Sequence, residues 1–388
     1  NQGSNQIRLV AVNEPLLLPS LRFYQKPEPK DYQTVWQEYQ AAGYQPAENV
    51  FIKIQGEDSI YRSSPTLFPE HDMGDPTVEP YHQAQIRLNS IGGHRWKNIG
   101  DWAAWEFEVP VSGLYKIGIK GKQDQLRGVY SSRRLLIDGE VPFKEASALR
   151  FPYNQNYLMV TPTVADSDET ALVYLEAGKH ELRLEAVLGD VANILRKTED
   201  TMYNLNTIYR RIIMITSGQP DPLRSYELEK KIPGLLELLA AEADALREIA
   251  AEFEEFTGQR GSHISTLNTF VLMLEDMVKR PHKIPTLIPD FRDNVGALGR
   301  WIQQTMEQPL QIDYIVIASP EQEFPRTQPT FLETLRHEIL AFLASFTYDY
   351  KRVGDMGSVT ADKDILKVWI GSGRDQAQVI KQMIEDRS

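Results

Sequence analysis

The sequence predicts a multidomain β + α chain: an antiparallel β-sandwich, then a mainly helical domain, then a strand–helix unit that stops short of a sheet. Three observations carry this. Between Val50 and about Ser217, short apolar runs alternate with polar residues and are separated by turn residues, as in Trp105-Glu106-Phe107-Glu108-Val109 before Pro110 and Ser112-Gly113. Past Gly218 to Pro222 the apolar period becomes helical. The last stretch joins one apolar run, Ile365 to Ile370, to one amphipathic run, Gln376 to Ile384. A chain of 388 residues is also too long for one ordinary core. The expected division is 1–47, 48–217, 218–356 and 357–388.

Taken in order, Ile7 to Phe23 reads as two short strands broken at Asn13-Glu14-Pro15, the end of a domain that begins upstream. Asp31 to Ala42 reads as a helix, with Tyr32, Val35, Trp36 and Tyr39 on one face and Gly43 as its stop. In the sandwich, Arg134-Leu135-Leu136-Ile137 closes at Asp138-Gly139, a hairpin signal, and Trp102, Trp105 and Tyr115 are expected in the core. Four helical stripes follow. The first runs from Ile232 through Leu239 and Leu246 to Phe256, ended by Gly258, and the second carries Leu267, Phe270, Leu274 and Met277. The third carries Phe291, Val295, Leu298 and Ile302. The fourth starts at Pro329 and carries Leu332, Leu335, Ile339, Phe342 and Phe346. These four predict a bundle with apolar cores, and Ile312 to Ile317 reads as a single strand among them. A lone strand–helix unit at the end predicts that the natural protein continues past Ser388.

Charge and composition exclude several functions. A formal charge of −12 with no Lys/Arg stripe disfavours nucleic acid and anionic membrane surfaces. With no cysteine there are no disulfides, thiolate zinc sites or cysteine nucleophiles. No apolar run approaches the roughly 18 residues of a membrane span, and Asn1 does not begin a signal peptide. The expectation is therefore a cytosolic protein or a trimmed piece of an exported one.

Catalytic motifs are wanting, and no enzyme is expected. His337-Glu338 is followed by Ala341 where a zinc protease needs its second histidine. There is no Gly-x-Ser-x-Gly elbow and no phosphate-binding loop, and Gly371-Ser372-Gly373 lacks the third glycine of a dinucleotide fingerprint. Glu106 and Glu108 share a strand face and read as solvated surface, and Arg210-Arg211 reads as a partner for nearby carboxylates.

The run Ile99-Gly100-Asp101-Trp102-Ala103-Ala104-Trp105, followed by Pro110 and Gly113-Leu114-Tyr115, resembles galactose-binding-like carbohydrate-binding modules. Ile54-Gln55-Gly56-Glu57-Asp58 resembles their opening strand, and Gly178-Lys179-His180 their late one. The resemblance implies a jelly-roll sandwich and a carbohydrate ligand. It implies ligand contacts at Trp96, Tyr130 and Tyr157, in expected loops, and at Asn204, where such modules often carry a cleft asparagine. Many of these modules hold a structural calcium, whose matching positions here read Gln55, Glu57 and Asn206. With so little carboxylate charge, no cofactor and no tightly bound calcium is expected.

Leu366-Lys367-Val368-Trp369-Ile370-Gly371-Ser372-Gly373 is similar to the first strand of ABC-transporter solute-binding proteins. Large Gram-positive lipoproteins among these resemble the chain over essentially its whole length. The resemblance implies a non-catalytic accessory region of an extracellular, membrane-anchored solute-binding protein for oligosaccharide uptake. Its partners would be a carbohydrate and, through a C-terminal domain beyond this chain, a membrane permease. The rivals are a module appended to a glycoside hydrolase or lyase and a purely structural cell-surface module.

Overall fold

The computed structural model describes residues 28–347, apart from 73, 82–87, 166, 222–223 and 259–261. The expected strands at Ile7–Phe23 and the closing strand–helix unit at 365–384 lie outside these residues.

Helix α1 (Tyr32–Ala42) comes first, capped by the Asp31 carboxylate on the Thr34 N–H (2.8 Å) and ended by Gly43 at φ 73°. Strands β1 (Phe51–Gln55), β2 (Tyr61–Arg62), β3 (Pro69–Glu70), β4 (Ser90–Gly93), β5 (Trp102–Val109) and β6 (Gly113–Lys122) follow. Next come β7 (Ser131–Ile137), β8 (Leu149–Phe151), β9 (Leu158–Val160), β10 (Leu172–Leu175) and β11 (Gly178–Val187). The hairpin predicted at Asp138-Gly139 is present as a two-residue turn, both residues at positive φ.

From there the chain departs from expectation. Val191–Thr216, read as the end of the sandwich, is a 26-residue helix, α2. After the short α3 (Leu228–Lys231) come α4 (Leu235–Thr257), α5 (Ser262–Lys279) and α6 (Ile288–Met306). Strand β12 (Leu310–Ala318) and helix α7 (Phe331–Thr347) close the described chain. The end of α2, Thr207-Ile208-Tyr209-Arg210-Arg211-Ile212-Ile213, is rich in β-branched residues and imitates a strand locally. Its buried Ile194, Leu195, Thr198, Leu205, Ile208 and Ile212 nevertheless fall on one helical stripe.

Two antiparallel sheets form the sandwich, the second running β2-β5-β11-β7-β8. In the first, β6 is flanked on one side by β10 and β9 and on the other by β12, which in turn carries β1 and β4, with β3 outermost. Strand β12, expected to stand alone among helices, is thus central. Trp105, Leu182 and Leu184 of one sheet meet Tyr115, Ile119, Ile315 and Ile317 of the other in a single apolar core. The ladder between β12 and β6 shifts register between Ile312 and Tyr314.

The bundle is a closed ring in which α2 packs on α4 and α6, and α5 packs on the same two. Its fourth member is α2. Helix α7 begins at Phe331 and leaves Leu332, Leu335, Ile339 and Phe342 exposed, so the core role expected for that stripe is corrected. The bundle lies within the sandwich sequence, between β11 and β12. Val187 at the end of β11 pairs with Ser132, and the Ser132 N–H donates to Gln308 Oε1 (2.7 Å), so the chain leaves and returns at one point. Arg133 fastens that point, its buried guanidinium donating to the carbonyls of Ser132, Trp96 and Gln308 at 3.0, 2.9 and 2.8 Å. Among the described residues no helix is long and apolar enough to cross a membrane.

Candidate functional site

Helix α1 is held against the β10 edge of the first sheet by its aromatic face. Tyr32 packs edge-on against Phe143 (centroids 4.9 Å apart), and its hydroxyl accepts the Leu172 N–H at 2.9 Å. The Tyr32 N–H donates to Glu145 Oε2 (3.0 Å), and past the helix the Leu114 N–H donates to the Gln45 carbonyl (2.9 Å). Fixed at both ends, the helix forms one wall of a groove of about 640 Å³. Val164, Glu169, Thr170, Lys116, Leu172 and Pro320 also line it.

The helix presents Trp36, half-buried, and Gln33, Gln37 and Gln40 to this groove. The amides recur at i, i+4 and i+7, one stripe beside the aromatic one. None of the three side chains has a hydrogen-bond partner among the described residues, so their donors and acceptors are open to a ligand. Lys116 lies over the Phe324 ring (4.5 Å), and burial lowers its pKa despite Glu321 and Glu323. Glu169 is the one carboxylate in the lining. A glycosidase needs two flanking carboxyl groups, so this lining can bind a polyol but supplies no acid–nucleophile pair.

The residues expected to meet ligand are not gathered here. Trp96 is fully buried, its indole N–H donating to the Asp101 carbonyl (2.9 Å) with the Arg133 guanidinium 4.5 Å from its ring. Tyr157 is also fully buried and donates to Asp72 Oδ2 at 2.8 Å. Both expectations are corrected, because a ring without exposed surface cannot stack on a sugar. Tyr130 meets Phe256 of the bundle edge-on at 5.4 Å, and Asn204 sits on α2 and donates to Glu242 Oε1 (2.9 Å). The core expected at Trp105 and Tyr115 is found, while Trp102 is half-buried under the Arg183 guanidinium. Glu106 and Glu108 are exposed, and Arg210 and Arg211 form no ion pair among the described residues. The sequence marks α1 as a helix with an aromatic face and assigns it no ligand. The alternation of Gln with aromatic residues in Gln33-Thr34-Val35-Trp36-Gln37-Glu38-Tyr39-Gln40 was the available signal.

The metal positions also need correction. Asn206 lies on α2, donating to the Met202 carbonyl (3.0 Å), and is not on the last sandwich strand. That strand is β12, and its acidic residue is Asp313. Gln55 Oε1, Glu57 Oε2 and Asp313 Oδ2 are buried with no hydrogen-bond donor assigned, which is the kind of oxygen set a cation seeks. Yet Lys120 Nζ sits 2.7 Å from Asp313 Oδ2, both side chains being fully buried, and supplies the positive charge itself. Burial pushes Glu57 up to about 8, with Asp58 and Asp313 adding repulsion, and pushes Asp313 up to about 6 against the pull of Lys120. With one carboxylate not already countered, the set does not fit tightly held calcium. Among the described residues no group of three or more His, Cys, Asp or Glu side chains can hold a metal ion.

Lys120 belongs to a wider polar layer on the outer face of the first sheet. It donates to the Thr77 carbonyl, and Lys122 Nζ pairs with Asp72 Oδ2 at 2.6 Å. Burial works against the Asp72 charge, but Lys122 and Tyr157 outweigh it and hold the carboxyl below its ordinary range.

Residues 193–308 match the family of the bacterial solute-binding protein, 4-helix bundle domain. The match covers the ring of α2, α4, α5 and α6. No curated protein matches the chain. Among solved structures, a family 35 carbohydrate-binding module from Clostridium thermocellum is similar at 13% identity and a TM-score of 0.26, over 36% of this chain and 87% of that one. The C-terminal family 6 module of a laminarinase from Zobellia galactanivorans is similar at 19% identity and 0.23, over 35% and 89%. A family 35 module from Cellvibrio japonicus stands at 13% and 0.24, over 36% and 83%.

Proposed function

We propose that this chain is a non-catalytic, extracytoplasmic accessory region of an ABC-transporter solute-binding protein, and that it holds a neutral carbohydrate in the groove beside α1. One observation carries the binding reading: Trp36 lies among three unpartnered glutamines in an open groove with a single lining carboxylate. Sugars present CH faces that stack on aromatic rings and hydroxyls that pair with amides. The bundle's match to a domain of bacterial solute-binding proteins, and the resemblance of the Gly100-Asp101-Trp102 segment to carbohydrate-binding modules, support the wider setting. In that setting the chain is anchored outside the cell as part of a lipoprotein and reaches its permease through a further domain.

Titration calorimetry against a panel of neutral oligosaccharides tests the binding reading. At least one is expected to bind, with Trp36→Ala weakening it 10-fold or more, about 1.4 kcal/mol, and Gln37→Ala several-fold. Failure of the whole panel, or unchanged affinity in Trp36→Ala, would sink it. Turnover of chromogenic glycosides would favour the appended-enzyme reading instead. Protease treatment of intact cells, which should strip the protein from the surface, tests the location.

A further inference from the structure

We infer that the carbohydrate is an extended chain of several sugars, lying in two grooves that meet at Val164. This rests on the binding reading above. A second groove, of about 1010 Å³, opens beside residues 161–165 and 167–168 and shares Val164 with the first. Asp31 borders the second groove and its neighbour Tyr32 borders the first, so the grooves also adjoin at the start of α1. Single ligand sites occupy roughly 300–1,000 Å³, so the two grooves together exceed what one or two sugars need.

Residues 162–164 and 169–171 form a fixed ridge between them. The Val164 N–H donates to the Glu169 carbonyl and the Ala171 N–H to that of Pro162, at 2.9 and 2.8 Å. Val164 itself packs on the sandwich core, which pins the ridge down. A sugar crossing there would meet an apolar side chain, suited to its CH face.

The second groove carries four carboxylates, Asp31, Glu145, Asp168 and Asp190, against two cations, Lys144 and Arg150. Asp31 is spent capping α1, Glu145 accepts the Tyr32 N–H, and Arg150 is paired with Asp190. What remains for a ligand is the hydroxyls of Thr161, Thr163 and Ser167, with Asp168 and Lys144 as charged groups of both signs. A polyanion gains nothing from such a lining, whereas a neutral polyol finds donors and acceptors.

The test is a chain-length series. Cello-, laminari-, xylo- and malto-oligosaccharides of two to eight residues are titrated into the full chain by calorimetry. In the series that binds, affinity is expected to rise at least 10-fold from the disaccharide to the hexasaccharide and then level off. Thr163→Trp, which obstructs the second groove next to Val164, should bring the hexasaccharide down to the disaccharide's affinity, with disaccharide binding as the check that the protein is folded. An affinity that is flat beyond two residues, or a Thr163→Trp variant that keeps the full gain, overturns the two-groove site while leaving the α1 site standing. Absence of binding at every length overturns both.

Discussion

At the scale of single residues, the strongest constraints on the sandwich are buried charges. Lys120 and Asp313 lie on the two central strands, and neither has access to water. Such a pair need not be stabilising overall, but losing one partner strands the other. Lys120→Met should therefore lower unfolding stability by about 3–5 kcal/mol, and the double variant with Asp313→Leu should recover most of that loss. Urea denaturation of the two proteins checks it, and equal losses would contradict the pairing. None of this was legible in the sequence, where a Lys within an alternating strand reads as solvent-facing. It is buried because Asp72 and residues 74–79 fold back over the outer face, a contact 43 positions away in the case of Thr77. Trp96 and Tyr157 misled for a related reason. Each has one polar atom, and each finds a partner in the interior for it, so a position that looks like a loop becomes core.

At the scale of elements, the short 3₁₀ turn Gly56–Asp58 shows how a backbone contact sets a side chain's chemistry. A Cβ on Gly56 would lie 2.6 Å from the Ile312 carbonyl oxygen, so only glycine lets this turn rest on β12. That close approach removes water from Glu57, whose carboxyl is pushed up to about 8 from 4.5. The folded state thus holds the proton more tightly than the unfolded chain. Its contribution is fully present below about pH 4.5 and is lost as the pH rises to about 8. Glu57→Gln should flatten this slope and make the protein about 1–2 kcal/mol more stable at pH 8, seen in urea midpoints from pH 5 to 9. An unchanged slope would contradict it. Helix α1 and the alternating strands were readable because one period dominates each. Helix α2 was not, since its β-branched end fits both periods over a short window. In α7 the apolar period was real, but a period reports amphipathicity and not what covers the apolar face.

At the scale of the molecule, the sequence order hides the architecture. The two-class reading was sound, yet the bundle is housed within the sandwich, and β12 completes a sheet whose other strands precede it by more than a hundred residues. Long-range pairing of this kind leaves no local mark, so Ile312 to Ile317 showed itself as a strand but not as a neighbour of β1 and β6. A chain ended at Ser217 should fail to fold, because its first sheet lacks the central strand. Replacing 190–306 with a short Gly-Ser linker should still give a folded sandwich, since exit and return meet at Ser132. Circular dichroism and thermal melts of the two chains decide this, and a folded 1–217 fragment would contradict it.

The inserted bundle also imposes a delay during synthesis. Strands β1 and β6 leave the ribosome with their shared neighbour unmade, and about 120 residues must be added after β11 before β12 emerges. At about 5–20 residues per second, that gap lasts on the order of 6–24 s. The bundle has its own core and is complete before β12, so it can fold while the sheet waits. Until β12 arrives, the nascent sandwich carries open strand edges that invite mispairing, and its need for a chaperone is greatest in that interval.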